Sequence, residues 1–286
     1  MTDDRPQGGR EPPLPSPALL ALALREERHF CELFAGHAVE LTEAHLVVNE
    51  KVPVPRFNYV QDARCGPGRT AAFLERTLEH YYQRALRPAF ELPLRPSQPP
   101  LVEALRLMGY LSRGEDHHRH LLVWSGARPV PSGAARSDPD GELQVDRVPE
   151  DELGTFVDLL VESQARYREE VRRYLEVAIA HPHPGERVVP YVARAREGPV
   201  SFGLFHAHGA ASGLFAVGTA TTAREKGYAT ALVREVLAKE GRGAPLPLCL
   251  SAEGCVPPRP LLELGFEVWA SFERFELSEE ARKKGF

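Results

Sequence analysis

The sequence predicts an α+β protein with α/β/α layers, in which a mixed, mostly antiparallel sheet is flanked by helices and the fold is duplicated. Three observations lead to this prediction. In the second half, short runs that alternate apolar and polar residues follow one another through tight turns, as in antiparallel strands. Segments with apolar residues at helical spacing flank these runs. A stretch without apolar periodicity, 125–141, then separates them from a first half that ends in a similar pattern.

The chain is long enough for two domains, because single domains cluster near 100 to 150 residues. We predict a disordered leader at 1–17, a first domain at 18–125, a linker at 126–141 and a second domain at 142–286. The leader is rich in proline and lacks the apolar core of a secretory signal, so a cytoplasmic protein is expected by default.

Composition excludes several classes of protein. Apolar residues make up 43% and charged residues 26%, and no apolar run approaches the roughly 20 residues of a membrane span. A formal charge of -5 argues against nucleic acid as the main partner, because phosphate binding needs a basic face. The four cysteines form no CxxC pair, so reduced thiols and no metal site are expected.

The second half contains an ordered series of elements. It begins with a strand at 142–148 and helices at 149–164 and 166–180, the second of which ends at Pro182 and Pro184. An antiparallel meander, a helix and three short elements follow, and we place these at 188–195, 200–208, 211–219, 228–239, 246–252, 260–264 and 267–277.

The junction between the strand at 211–219 and the next helix carries the strongest functional signal. A helix amino terminus presents N–H groups without intrahelical acceptors and a partial positive charge, so a glycine-containing loop that enters it can hold a phosphate. Gly227 allows close backbone approach, Ala229 keeps the first turn small, and Arg224 and Lys226 add positive charge. Taken alone, the loop also fits an ordinary strand-to-helix turn with solvated charges.

The surrounding elements favour the phosphate site. The loop Arg-Glu-Lys-Gly-Tyr-Ala at 224–229 follows a fourth strand, and the run Leu-Glu-Leu-Gly-Phe lies at 262–266. This combination resembles the GNAT superfamily of N-acetyltransferases, whose hallmark is (Arg/Gln)-x-x-Gly-x-(Gly/Ala) at this place. The resemblance covers about 135 residues and implies acetyl-CoA as co-substrate and transfer of an acetyl or short acyl group to a primary amine of a small molecule or peptide.

The resemblance also implies positions for the cofactor. The pantetheine arm would pair with the backbone of Val217, Gly218 and Thr219, like an added strand. The pyrophosphate would lie beside Arg224 and on the N–H groups of six consecutive residues, which are Glu225, Lys226, Gly227, Tyr228, Ala229 and Thr230. The thioester would lie near Thr219 and 250–251, and the amine would arrive from the opposite side of the sheet.

Three polar positions of the family are vacant in this sequence. A carboxylate of the fourth strand is replaced by Gly213, the tyrosine of the late helix by Leu261, and an asparagine after the fifth strand by Gly254. A catalytically silent acyl-CoA-binding sensor or scaffold is therefore the alternative hypothesis. For an enzyme, the substitute candidates for proton transfer are the strand residues Tyr191, His206 and His208 and the residue Glu253. Solvation or packing remains open for each.

The first half echoes the second. The segment 100–110 ends in Gly-Tyr as 260–266 ends in Gly-Phe, and 119–124 supplies a closing strand, so we interpret this half as a degenerate copy. The alternative is any small α+β domain. Pro67 removes an N–H donor from its equivalent loop, so we expect no second coenzyme A there. We expect this half to cover the cleft and shape the amine pocket. A homodimer is left open.

Overall fold

The structure is a computed structural model. It describes residues 16–34, 36–66, 68–95, 98–126, 143–160, 168–182, 184–241, 243–245 and 247–283. Within these ranges the helices are α1 Pro17–Glu32, α2 Thr70–Tyr82, α3 Pro99–Leu107, α4 Leu153–Leu160, α5 Arg168–Ala180, α6 Tyr228–Glu240, α7 Arg259–Glu263 and α8 Glu279–Lys283. The strands are β1 His37–Glu40, β2 His45–Val48, β3 Tyr59–Gln61, β4 Ala89–Pro93, β5 Tyr110–Ser112, β6 Arg119–Trp124, β7 Gln144–Arg147, β8 Glu186–Ala195, β9 Gly198–His208, β10 Ala211–Thr219, β11 Leu248–Glu253 and β12 Phe266–Leu277.

All of these strands form one continuous sheet. Its order is β1-β2-β3-β4-β12-β6-β11-β10-β9-β8-β7, and β5 pairs with β12 beside this path. The pairs β3–β4 and β10–β11 are parallel, and the other pairs are antiparallel. Each half therefore contributes one parallel pair, followed in both cases by a short helix. The predicted mixed, mostly antiparallel sheet is confirmed, and the arrangement of the two halves is compatible with the predicted duplication.

The two halves exchange their last strands. The β6 strand from the first half lies between β11 and β12 and is antiparallel to both. The carboxy-terminal part of β12, from Phe272 to Leu277, pairs in return with β4 and β5 of the first half. The segment 119–124 is thus a strand, as predicted, but it completes the sheet of the other half.

Helices cover both faces of the sheet. On one face, α1, α4 and α5 pack over a core that includes Phe30, Phe156 and Phe215. On the other face, α6 and α7 cover the second half, while α2 and α3 cover the first. Alternation along β6 shows this arrangement, since Leu121 faces the first core and Leu122 the second. The layers are therefore helix, sheet, helix.

A capping serine and a proline define where the first helix begins. Ser16 caps α1, because its Oγ accepts a hydrogen bond from the Leu19 N–H at 3.3 Å, and Pro17 follows at the first helical position. The predicted leader 1–17 thus overlaps the start of this helix by its last residue, and 1–15 lie outside the described residues. None of the described helices is both long and apolar enough to cross a lipid bilayer.

Most boundaries of the second half agree with the prediction to within two residues. The predicted helix at 149–164 differs, because its first turn, Glu150–Glu152, is a 3-10 helix and α4 follows it. The residues 161–167 and 127–142 lie outside the described part of the chain, and the second range contains all but the first residue of the predicted linker. The short α8 helix was not predicted.

Candidate functional site

The parallel strands β10 and β11 diverge after a very short pairing. Their paired residues are Ser212 with Leu248 and Gly213 with Cys249. Beyond this point a β-bulge interrupts the pairing of β10 with β9, because two residues, 216 and 217, stand opposite one. Ala216 in this bulge has φ +51, which is uncommon for a residue with a side chain. The edge of β10 that faces β11 is therefore free of strand pairing over its last six residues.

The loop that follows β10 turns into the amino terminus of α6. A 3-10 turn at Thr221–Ala223 leaves β10, and Gly227 is the N-cap of α6 with φ +82. Glu225 also has a positive φ, of +66. Gly227 makes no side-chain cap hydrogen bond at this helix end, and a helix amino terminus presents N–H groups that have no intrahelical acceptor.

The side chains of this loop divide between solvent and core. Arg224, Glu225 and Lys226 are exposed, whereas Tyr228 is buried in the core under α6. A Cβ built on Gly227 would meet no atom within 4 Å. The loop thus presents positive side chains, open space over a glycine and a helix amino terminus on one surface beside the divergent strands, which is a combination that can hold a diphosphate.

A cavity of about 130 Å³ opens on the opposite face of the sheet, under α1. The second half supplies part of its wall from the divergent strands, including Val217, Ser251 and Glu253. The first half supplies the rest, including Tyr59 and Arg119. The cavity therefore lies where the two halves meet and where the two strands separate.

Buried ion pairs form the floor of this cavity. The Arg119 Nη1 atom lies 2.7 Å from Oε1 of Glu27, and its Nη2 lies 2.8 Å from Oε2 of Glu91. The Ser251 hydroxyl also binds Glu27, and Arg274 lies 3.3 Å from Glu91. Burial acts to lower the pKa of Arg119, but the two carboxylates outweigh it, so the net pKa is raised and the guanidinium stays charged.

Two further groups of the cavity are unsuited to proton transfer near neutral pH. Burial raises the pKa of the Cys31 thiol to about 12. Burial likewise raises the pKa of Tyr59 well above its usual value, and its hydroxyl lies 3.6 Å from the Cys31 Sγ atom. Neither residue can supply a thiolate or phenolate at neutral pH.

Among the four predicted catalytic candidates, Glu253 alone lines this cavity. It is the last residue of β11, its side chain is exposed, and its backbone pairs with Arg119 of β6. The next residue, Gly254, has φ +155, and its carbonyl accepts a hydrogen bond from the His120 ring at 2.9 Å. A strand of the first half thus fixes the turn beside Glu253.

The histidine candidates lie elsewhere. His206 stands opposite Gly213, at the closed end of the β10–β11 pair, and it is fully buried. Its Nδ1 lies 2.7 Å from Glu26 and its Nε2 lies 2.8 Å from Glu186, so both ring nitrogens are occupied. His208 lies further along β9 and packs edge-on against His29 of α1. Neither histidine lines the cavity, so the hypothesis that one of them relays a proton stays a prediction without support from this geometry.

Tyr191 faces the other side of the sheet. It is fully buried, and its hydroxyl binds Glu240 near the carboxy-terminal end of α6, where Arg147 and Arg187 also contact that carboxylate. This network lies under α6 and does not line the cavity. The buried position of Tyr191 favours packing, which was the alternative to contact with the substrate.

Two of the three vacant family positions, 213 and 261, are filled by packing. A Cβ on Gly213 would lie 2.2 Å from the Phe215 ring, and this ring stacks on Phe30 of α1 at 4.5 Å. Leu261 is buried in the core between α7 and the sheet. A carboxylate at 213 has no space in this arrangement.

The arginines at the equivalent loop of the first half form ion pairs within the protein. Gly68 has φ +74 before α2, but Arg69 at the N-cap binds Glu43 at 2.6 Å, and Arg76 binds the same carboxylate at 3.0 Å. Pro67 lies outside the described residues. In the run 115–120, a 3-10 turn is followed by β6, and His120 binds Gly254 and Ser271.

Sequence reasoning missed the acidic residues of α1. Glu26 and Glu27 lie in an amphipathic helix and would be expected to face solvent, yet both are buried against the second half. The one available signal is that the pair interrupts the apolar face of α1. Their partners are 92 and 180 residues away in sequence, which local spacing does not reveal.

Comparisons with known proteins define the class of this fold. No protein-family model and no curated protein matches the chain. A GCN5-related N-acetyltransferase from Kribbella flavida superposes with a TM-score of 0.60 at 16% identity, over 89% of this chain and 94% of that one. Another from Sphaerobacter thermophilus gives 0.58 at 16% identity, over 92% and 93%. A tandem GNAT protein from the clavulanic acid biosynthesis pathway gives 0.51 at 14% identity, over 82% and 78%.

These similarities establish the fold, and a tandem arrangement of the two halves is consistent with them. The chain has the fold of the GCN5-related N-acetyltransferases, and the resemblance noted from the sequence is confirmed at that level.

Proposed function

We propose that this protein is an N-acyltransferase that moves an acetyl or other short acyl group from its coenzyme A thioester to a primary amine. The observation that carries the proposal is the uncapped amino terminus of α6, which begins at Gly227 beside the divergent ends of β10 and β11. Arg224 and Lys226 are exposed on the same loop. A helix amino terminus with adjacent cations is suited to a diphosphate.

The cofactor contacts follow from this loop. We assign the pyrophosphate to the backbone N–H groups of residues 225–230, with Arg224 and Lys226 as charged partners. We assign the pantetheine arm to the free edge of β10 at Val217, Gly218 and Thr219, where a peptide-like chain can pair as an added strand. We place the thioester between the strand ends, with Val217 of β10 on one side of the gap and Ser251 of β11 on the other.

Acyl transfer requires that the amine lose a proton as it attacks. In the proposed step, the amine nitrogen bonds to the thioester carbonyl carbon, the carbon–sulfur bond breaks, and coenzyme A leaves as the thiol after it gains a proton. Among the described residues that line the cavity, Glu253 is the carboxylate whose side chain makes no hydrogen bond or ion pair, so we assign it to accept the amine proton. Glu27 and Glu91 are already paired with Arg119.

The second candidate function is an acyl-CoA-binding sensor or scaffold without turnover. The arrangement at Gly213 favours it, because the Phe215 ring occupies the space that a carboxylate would need. Leu261 offers no acid for the departing thiolate. Binding and turnover therefore need separate measurements.

Calorimetry on a matched pair of variants tests the binding site. Gly227→Asp keeps a good N-cap residue that tolerates positive φ, but it places a negative charge where the diphosphate would lie. We expect coenzyme A to bind about ten-fold more weakly or worse, while binding of pantetheine, which lacks the diphosphate, changes little. Gly185→Asp is the control, because Gly185 has the same φ of +82 and equally open space. Equal affinities of both variants for coenzyme A would refute the assignment.

A thiol-release assay separates the two functions. Acetyl-CoA is incubated with the protein and a panel of amines that includes amino acids, polyamines, aminoglycosides and peptides. Thiol release that depends on an amine supports the transferase. Silence across the panel, together with normal coenzyme A binding, supports the sensor or scaffold.

A further inference from the structure

We propose that the acceptor of this transferase is a small amino carboxylate, a molecule with one primary amine and one carboxylate. The inference rests on the proposed function and concerns the cavity under α1. It is argued from the distribution of charge between the floor and the mouth of that cavity.

The cavity crosses the boundary between the halves. Its walls come from strands that are neighbours in the sheet, from Tyr59 on β3 through Arg274 on β12 to Ser251 on β11. The cavity volume of about 130 Å³ is well above the roughly 10–15 Å³ that is needed to hold one water molecule. The space therefore admits a small molecule.

The charges of the floor neutralise one another. Arg119 is held between Glu27 and Glu91, and Arg274 contacts Glu91 and Glu276. Arg119 also lies over the Phe272 ring, at 4.3 Å from its centroid. A ligand that displaced one of these groups would leave a buried charge without a partner, which is costly. The floor is thus a fixed surface rather than a binding site for a charged group.

The charged groups at the mouth are different. Arg56 and Glu253 both line the cavity and both are exposed. Within the described ranges, neither side chain makes a hydrogen bond or an ion pair with the protein. Arg56 comes from the 3-10 turn before β3, and Glu253 comes from the end of β11, with three strands between β3 and β11 in the sheet. The mouth therefore has one cationic side and one anionic side.

This arrangement selects a ligand with two opposite charges. Glu253, on the side of the divergent strands, attracts an ammonium group and can then take its proton. Arg56, on the side of the first half, offers a planar guanidinium that binds a carboxylate in bidentate fashion. A polyamine or an aminoglycoside would instead bring a second cation toward Arg56, and like charges repel. An amino carboxylate satisfies both sides at once.

Kinetics on matched substrate pairs test the inference in the full-length protein. Each pair consists of an amino acid and the amine that its decarboxylation would give, for example histidine and histamine or alanine and ethylamine, so that only the first member carries a carboxylate. Glycine, β-alanine and 4-aminobutyrate then vary the separation of the two charges. We expect the wild type to favour the carboxylate-bearing member of a pair by about ten-fold or more in kcat/KM.

The variant Arg56→Gln should reduce this preference about ten-fold, through KM of the amino carboxylate. Arg106→Gln is the control, because Arg106 is an exposed arginine of α3 outside the cavity. Equal or better turnover of the decarboxylated amines by the wild type would overturn the inference, and so would an unchanged preference in Arg56→Gln.

A binding measurement distinguishes this failure from failure of the proposed function. Ligand-observed NMR of glycine or 4-aminobutyrate, in the presence of coenzyme A, reports occupancy without turnover. Binding that Arg56→Gln weakens and Arg106→Gln does not supports the acceptor site even if no thiol is released. Turnover of polyamines without binding of any amino carboxylate would retain the transferase and reject this acceptor class. Absence of both turnover and binding would reject both.

Discussion

The Nη1 atom of Arg119 in β6 donates hydrogen bonds to both carboxylate oxygens of Glu27 in α1, at 2.7 Å from Oε1 and 2.8 Å from Oε2. Both side chains are almost fully buried, and each comes from the first half of the chain while packing against the second. The pair therefore ties α1 and the exchanged strand β6 to each other and to the floor of the cavity.

Removing one member of this pair should destabilise the protein. Glu27→Gln leaves Arg119 buried with one carboxylate fewer, and we expect a loss of about 3 kcal/mol in the free energy of unfolding. Urea denaturation followed by circular dichroism measures it. Glu79→Gln, an exposed change on α2, is the control and should shift the free energy by less than about 0.5 kcal/mol. A similar small shift for Glu27→Gln would show that the pair contributes little.

The buried histidine should make stability depend on pH. Burial acts to lower the pKa of His206, but hydrogen bonds and charge from Glu26 and Glu186 outweigh it and raise the pKa above its usual value. Burial also raises the pKa of Glu26. The folded state thus holds protons at this cluster more tightly than the unfolded chain does. The stabilisation from His206 is complete below its unfolded pKa of about 6.5 and is lost as pH rises through the higher folded value.

The corresponding measurement compares the wild type with His206→Gln at pH 6 and at pH 8.5. We expect the wild type to exceed the variant in unfolding free energy by more at pH 6 than at pH 8.5. His37→Gln, on the exposed edge strand β1, serves as the control. A difference that grows with pH would contradict the protonated imidazole.

If Glu253 is the general base, its removal should change how kcat/KM depends on pH. Glu253→Gln cannot accept a proton, so we expect kcat/KM for the amine to fall about 100-fold, with partial recovery at high pH where the free amine is abundant. Coenzyme A affinity should not change. Glu267→Gln, an exposed glutamate of β12 outside the cavity, is the control. Full activity of Glu253→Gln at neutral pH would remove this residue from the mechanism.

The exchange of β6 and β12 predicts that neither half folds alone. If the chain is divided between Ala134 and Ala135, each fragment lacks the strand that completes its sheet. We expect the two fragments to co-purify as a stable complex when expressed together and to aggregate when expressed singly. A monomeric, folded fragment with protected amides in hydrogen exchange would show that the exchange is not required.

Local sequence patterns predicted the elements that depend on neighbouring residues. The strand 211–219, the turn at Gly227 and the helix after it follow from alternation, glycine placement and helical spacing, and the structure has them where they were expected. The divergence of β10 from β11 also depends on the bulge at Ala216. The sequence does not reveal the positive φ of Ala216, because alanine, unlike glycine, rarely adopts that conformation.

Contacts between distant segments could not be predicted in this way. Alternation placed His206 on one face of its strand, but the sequence could not show that Glu26 of α1 covers that face. The same holds for β6, whose pattern is that of any buried strand and whose partners are set by pairing with β11 and β12. The acidic pair of α1 and the exchanged strand are therefore features that only the tertiary structure reveals.

The stacking of Phe30 on Phe215 has a consequence for how this site can change. A side chain at residue 213 must displace the Phe215 ring, and Phe30 lies stacked against that ring at 4.5 Å. An acidic side chain at residue 213 would therefore compete with two stacked aromatic rings, one from a helix and one from a strand, for the same space.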